Sequence, residues 1–358
     1  MEGKTRQANF EILRILAMLM VISLHYIIKG NITISLMEDR SFPNLLAWFL
    51  QSCCIVAVNV YVFITGYFLI EAKWSLKKLI SLVIQVWCYS VSVPVLCFLM
   101  NVGEVRSWNL YHWATVLFPF QMEHYWFATA YLIMYLFSPV LKAAIRNLGK
   151  RELEAVIFTL LLFFSVGKSL IPIQIPTDRY GYDFGWFLCL SLIAGYLRIY
   201  GIPWFNRIRK GFLWYLLFTL LIFGYSLFLG YLSDQGFPLS YAMDMNYSYN
   251  HILVLLSSLG LFYGFKYMHF ARTGICKFCC KIAPYTFGVY LLHENLAIRM
   301  FWPSWLGVER VRGTLLFLPH MVFSVAVIFF AGIIAEYIRS CLFQLLESSL
   351  KSLNRKRE

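Results

Sequence analysis

Residues 9–26 read NFEILRILAMLMVISLHY. The stretch is apolar enough for a membrane helix, yet it carries Glu11 and Arg14 near one end and His25 near the other. Each helical residue turns by about 100° and rises about 1.5 Å. Arg14 and His25 are eleven positions apart, so they return to within about 20° of one face, about 16 Å apart along the axis. Glu11 falls about 60° from Arg14, and Ala17, Met18 and Val21 fill the stripe between. An ionisable group in hydrocarbon costs about 2.5–3.5 kcal/mol on insertion scales. Three of them on one face are therefore expected to line a cavity. The structural alternative is a snorkelling Arg14 bridged to Glu11, with His25 as an interfacial hydrogen bonder.

The rest of the chain repeats the apolar pattern. Of 358 residues, 60% are hydrophobic, 18% aromatic and only 14% charged, whereas soluble domains carry about a quarter charged residues. Apolar runs of roughly 20 residues predict an all-α, polytopic membrane bundle. About ten spans are expected, near 12–28, 45–70, 79–100, 125–145, 155–173, 185–200, 212–231, 250–266, 282–299 and 315–340. The first run does not read as a cleavable signal, since it carries internal charge and is followed by no small-x-small site. Residues 10–345 form one expected membrane domain, and 346–358 a basic cytoplasmic tail.

The net charge of +13 is distributed by topology rather than gathered for nucleic acid. Of 31 Lys and Arg, 22 fall in the segments on the N-terminal side of the membrane and 8 in the alternate ones, with Arg14 inside a span. The positive-inside rule then places both termini in the cytoplasm, and the basic surface against anionic lipid headgroups. Nine cysteines are present. Most sit in spans as small apolar residues. Cys276, Cys279 and Cys280 fall in an expected cytoplasmic loop, too few for a closed zinc site. No metal is expected.

This topology places the remaining polar residues. Glu123, His124 and Trp126 sit at the outer mouth of the fourth span. His293 and Glu294 lie in the outer half of the ninth, so His25, His124 and His293 share a depth suited to acid–base work near neutral pH. Glu294 is 100° from His293 on a continuous helix, which turns it away from a common cavity. Residues 108–123 are aromatic and too short to span, so an interfacial or re-entrant piece is expected there. In the second span Thr65 offers a hydroxyl and Gly66 a close approach. Lys77 and Lys78, just past its inner end, are either positive-inside charge or phosphate contacts for a cytosolic nucleotide-bearing donor. The layout suits transfer across the bilayer, from an anionic carrier near Arg14, Lys77 and Lys78 to an acceptor near His25.

These motifs resemble the integral membrane acyltransferases of acyltransferase family 3. Arg14 and His25 fit that family's Arg, ten residues, His pattern. FITGYFL (63–69) is similar to its F-x-x-S-G-F/Y stretch, with Thr65 for Ser. HYWFATAYLIMYLFSPVL (124–141) is similar to its W-F…Y…P segment, and YTFGVYLLH (285–293) to its S-x-G-I-Y-L-x-H segment. The resemblance implies an acyl-CoA co-substrate, acetyl-CoA foremost, with His25 catalytic and Arg14 required. An extracytoplasmic or lipid-linked saccharide hydroxyl is the expected acceptor, with peptidoglycan and a small amphiphile left open, and a bacterial inner-membrane location is expected. Where many members carry an arginine pair, this chain has Lys77 and Lys78, which lack the planar fork that grips phosphate.

Two functions follow as expectations, while a third, an inactive scaffold in a polysaccharide-assembly complex, has no need of the Arg14/His25 pair. In the first, an O-acyltransferase, His25 acts as general base or carries the acyl group covalently. Glu11 and Arg14 complete the catalytic set, Arg14, Lys77, Lys78 and Thr65 receive the donor, and His293, Glu123, His124 and Trp126 line the acceptor side. In the second, a transporter or flippase of a lipid-linked saccharide or small anion, the buried charges are substrate or proton sites.

Overall fold

The computed structural model describes residues 7–170, 178–205, 207–237, 239–270 and 274–355. Among them all regular structure is helical. In chain order the helices are α1 (Ala8–Lys29), α2 (Phe42–Cys54), α3 (Ala57–Leu69), α4 (Leu76–Met100), α5 (Leu110–Leu117), α6 (Trp126–Asn147), α7 (Lys150–Leu161) and α8 (Gly167–Leu170). They continue with α9 (Phe184–Ile199), α10 (Ile208–Asp234), α11 (Ser240–Asn246), α12 (Ile252–Lys266), α13 (Gly274–Ile282), α14 (Thr286–His293), α15 (Trp302–Trp305) and α16 (Phe317–Arg355).

Among the described residues, eight stretches are long and apolar enough to cross a membrane: 8–29, 42–69, 76–100, 126–147, 150–170, 208–234, 274–293 and 317–349. The sixth and eighth expected spans are shorter apolar helices, α9 and α12. Residues 171–173 of the fifth expected span lie outside the described residues. The ninth differs from expectation. It begins at Gly274 and ends at His293, so Cys276, Cys279 and Cys280 sit on a helix and not in a loop. Residues 294–301 turn away from the axis instead of continuing it. Residues 108–123 hold α5, eight residues with Leu110 and Tyr111 turned outward. Helix α16 does not stop near residue 340 but runs on to Arg355.

Helix α1 is central, packing on α2, α3, α12, α13, α14 and α16. That placement explains its burial: Leu13, Ala17, Ile22, Tyr26 and Ile27 are wholly enclosed. Small residues set the closest helix approaches, as expected where lipid offers no competing hydrophobic drive. A Cβ on Gly211 of α10 would lie 2.3 Å from the Gly264 nitrogen, and one on Gly260 2.5 Å from the Tyr215 nitrogen. Gly66 is likewise pressed against Ala194 and Ser191 of α9, a packing role.

Candidate active site

The far end of α1 is pinned before the site is built. Arg312 donates to the Gly30 carbonyl at 3.0 Å, and the Tyr26 hydroxyl meets His320 Nδ1 at 2.9 Å. The end of α14 is strapped in turn to the start of α6. The Tyr125 hydroxyl donates to the Leu291 carbonyl at 2.9 Å, and Asn295 Nδ2 donates to the Tyr125 hydroxyl at 2.7 Å and the Tyr89 carbonyl at 3.0 Å.

Between these two clamps His25, Lys29, His293 and Glu294 come together. His25 Nδ1 lies 3.0 Å from His293 Nε2 and 3.1 Å from Glu294 Oε1. The Lys29 ammonium pairs with the same carboxylate oxygen. His293 Nδ1 lies 2.6 Å from the Val289 carbonyl. These contacts fix the protons. A carbonyl only accepts, so His293 Nδ1 carries a proton and, in the neutral ring, its Nε2 accepts. His25 Nδ1 then faces two acceptors and must itself be the donor. His25 Nε2 is left with its lone pair, on the side of the ring away from the carboxylate. A carboxylate that holds one imidazole nitrogen as N–H and leaves the other basic is the arrangement of a general base with its orienting acid.

Glu294 joins this group because α14 ends at His293. Glu294 is the cap, with φ −93° and ψ 4°, so the 100° step of a continuing helix no longer applies. Lys29 is four residues beyond His25, about 40° around the same helix face. That spacing was the signal for it in the sequence. The donor atoms of His25, His293 and Glu294 all lie within 4.8 Å of one another, a spacing a metal could use. Lys29 already supplies the positive charge beside Glu294, so the cluster is charge-balanced with two neutral imidazoles.

The His25 side chain retains 19% exposure and lines a cavity of about 30 Å³ with Met18, Val21, Tyr61, Trp126 and Tyr290. That holds about two waters, so any larger group enters only as the walls part. Met18 and Val21 belong to the stripe on α1, which thus faces the interior. Toward the other end of α1, Arg14 Nη1 bonds Glu11 Oε2 at 2.9 Å. Tyr61, in the wall of the His25 cavity, meets Thr286 at 2.9 Å. The Thr65 hydroxyl donates to the Tyr61 carbonyl at 3.2 Å.

Beyond Trp126 a larger cleft opens, about 720 Å³, within the range of small-molecule sites. Glu123 and Trp126 line it, with Lys168, Asp178, Arg179 and Tyr182. Trp126 packs between Tyr182, with ring centroids 4.5 Å apart, and Tyr249, stacked at 5.7 Å. Glu123 pairs with Arg179 at the rim, 3.3 Å. Lys168 is buried on Asp178 at 2.5 Å and Asn250 at 2.6 Å.

Other expected residues are not gathered here. His124 lies against the same turn, but both ring nitrogens are committed. Nε2 accepts from the Leu296 N–H at 2.9 Å. Ser90 gives its proton to the Val116 carbonyl at 2.6 Å, so its oxygen receives the His124 Nδ1 proton at 3.1 Å. His124 acts as a buried strap. Lys77 is 83% exposed and pairs with Glu347 of α16 at 3.1 Å, while Arg14 turns to Glu11. Lys78 is exposed, its backbone capped by Ser75.

Residues 7–337, nearly the whole chain, match the profile of a family described as an acyltransferase domain. Neither a curated protein nor a solved structure matches the chain.

Proposed function

We propose, from the premise that the chain belongs to the acyltransferase 3 family, that it moves an acyl group, acetyl foremost, from cytosolic acyl-CoA to a saccharide hydroxyl outside the bacterial inner membrane. The observation that carries this reading is the protonation pattern at His25: Nδ1 is held by Glu294 and His293, and Nε2 is left basic. The nitrogen lies between the Arg14 end of α1 and a cleft of saccharide size.

The chemistry then runs through one atom. The donor enters from the Arg14 end, and its thioester reaches His25. The acceptor hydroxyl comes from the cleft past Trp126. His25 Nε2 takes the hydroxyl proton as the oxygen attacks the thioester carbonyl. The tetrahedral intermediate collapses, the carbon–sulfur bond breaks, and the imidazolium returns its proton to the departing thiolate. Glu294 stabilises the imidazolium, and Lys29 holds Glu294 in place. Both charged steps occur away from bulk water, where a fixed carboxylate acts most strongly.

The test is transfer itself. Purified protein in proteoliposomes is supplied with labelled acetyl-CoA and glycan from cells deleted for the gene. An alkali-labile labelled ester on the glycan is the expected product. Glycan moved across the membrane without any ester, and with acetyl-CoA untouched, would replace this reading with transport.

A further inference from the structure

The end of the bundle where α1 begins holds a second cationic group. Lys266, the last residue of α12, has its ammonium over three tyrosine rings, 4.9 Å from the centroid of Tyr263, 5.4 Å from Tyr267 and 5.6 Å from Tyr67. Arg198, near the end of α9, lies over Tyr67 at 4.7 Å. Arg198 is balanced by a two-point pairing with Glu71, at 2.6 and 3.0 Å. No carboxylate among the described residues pairs with Lys266. Two cations thus share one aromatic ring with one carboxylate between them. Their mutual repulsion is relieved when an anion is bound beside them.

The cluster is tied to the stripe on α1. Asn9 donates to the carbonyls of Phe265 and Lys266, at 3.0 and 3.2 Å. Phe10 packs on Tyr67 and Phe262, with centroids 5.4 and 5.6 Å apart. Phe10 is four residues before Arg14, about 40° around the same face. The order along α1 is therefore Phe10, Arg14 and His25, with Lys266 and its tyrosines tied to the start of the helix.

We propose that Lys266, inside its tyrosine rings and backed by Arg198, holds the phosphate-bearing adenosine end of the donor. The ammonium serves as a point charge for phosphate, and the half-buried Tyr267, the one of the three rings not enclosed, receives the purine. The thin acyl-bearing arm then runs past Arg14 to His25. This proposal rests on the acyl-CoA reading above. It moves the phosphate contact from Lys77 and Lys78 to a different corner of the bundle.

The probe is adenosine 3′,5′-bisphosphate, measured by calorimetry on the full chain in phosphatidylcholine nanodiscs. Wild type should bind, Lys266→Arg should stay close to it, and Lys266→Gln should weaken binding at least about tenfold, as expected for one lost charge-assisted hydrogen bond. A second measurement needs no variant. The 8-azido analogue, photolysed on wild type, should label Tyr267 or the residues beside it. Unchanged affinity in Lys266→Gln, or label confined to residues 73–80, overturns the proposal and leaves the acyl-CoA reading standing. Stabilisation by phosphatidylglycerol discs with no nucleotide binding assigns the cluster to lipid headgroups and overturns it too. Absence of both nucleotide binding and acetyl transfer in wild type removes the acyl-CoA reading itself.

Discussion

Replacing Glu294 by Gln removes one charge and little else. The glutamine carbonyl can still accept from His25 Nδ1, so the ring keeps its orientation. What disappears is the attraction between carboxylate and imidazolium during transfer. At the 3.1 Å separation of His25 Nδ1 and Glu294 Oε1, unit charges attract by about 5 kcal/mol at an effective dielectric of about 20. The same substitution leaves the Lys29 ammonium beside the imidazolium without its carboxylate, which adds repulsion. The retained hydrogen bond offsets part of this. A fall in kcat of about 10²- to 10⁴-fold is expected, each tenfold step being about 1.4 kcal/mol. KM for acetyl-CoA should hardly move, because Glu294 lies at the far end of α1 from the donor's entry. The assay is the initial rate of ester formation in proteoliposomes at matched protein levels. Adding Lys29→Met should recover part of the loss, since the orphaned ammonium is then gone. A Glu294→Gln rate within threefold of wild type, or a loss that Lys29→Met only deepens, would refute the role given to this carboxylate.

Three other outcomes are expected. Trp126→Ala should raise KM for the acceptor about three- to tenfold, the worth of an aromatic contact, with donor affinity unchanged, as read from the two saturation curves. Lys168→Met leaves Asp178 buried without its partner, so unfolding of the solubilised protein should come about 3–5 kcal/mol sooner, with Lys168→Met/Asp178→Leu recovering much of it. Burial pushes the His124 imidazole down to about 3, against about 6.5 in an unfolded chain. The folded protein then keeps His124 neutral where the unfolded chain binds a proton. Stability from this residue is full above pH 6.5 and falls by about 1.4 kcal/mol per unit as pH drops toward 3, so His124→Gln should flatten the pH dependence of thermal unfolding by about one proton.

The sequence made the bundle legible because lipid imposes a simple rule of about 20 apolar residues per crossing, and the stripe on α1 because helical period is regular. It misplaced what depended on where a helix stops. Glu294 was set apart from His293 by assuming a helix that continues, but α14 ends there, and the Asn295 clamp to Tyr125 and Tyr89 turns the chain inward. The cysteine loop became a helix for a related reason, since Lys277 and Lys281 hid the apolar face of α13. His124 looked like a site residue from its depth. Its engagement with Ser90 and Leu296 is a tertiary fact that no local pattern carries. Lys77 and Lys78 followed the positive-inside rule, and Lys77 turned outward to Glu347. Lys266 is one cation among many at helix ends in the sequence, and only packing shows the three tyrosines around it.

The most direct test of His25 as the transferring base is the acetyl-transfer rate of His25→Asn in proteoliposomes, measured beside its affinity for acetyl-CoA. Asparagine can still reach Glu294 but offers no basic nitrogen. The expected result is a rate at least about 10³-fold below wild type, within the usual range for a lost general base, with donor affinity intact. Transfer within tenfold of wild type would contradict it.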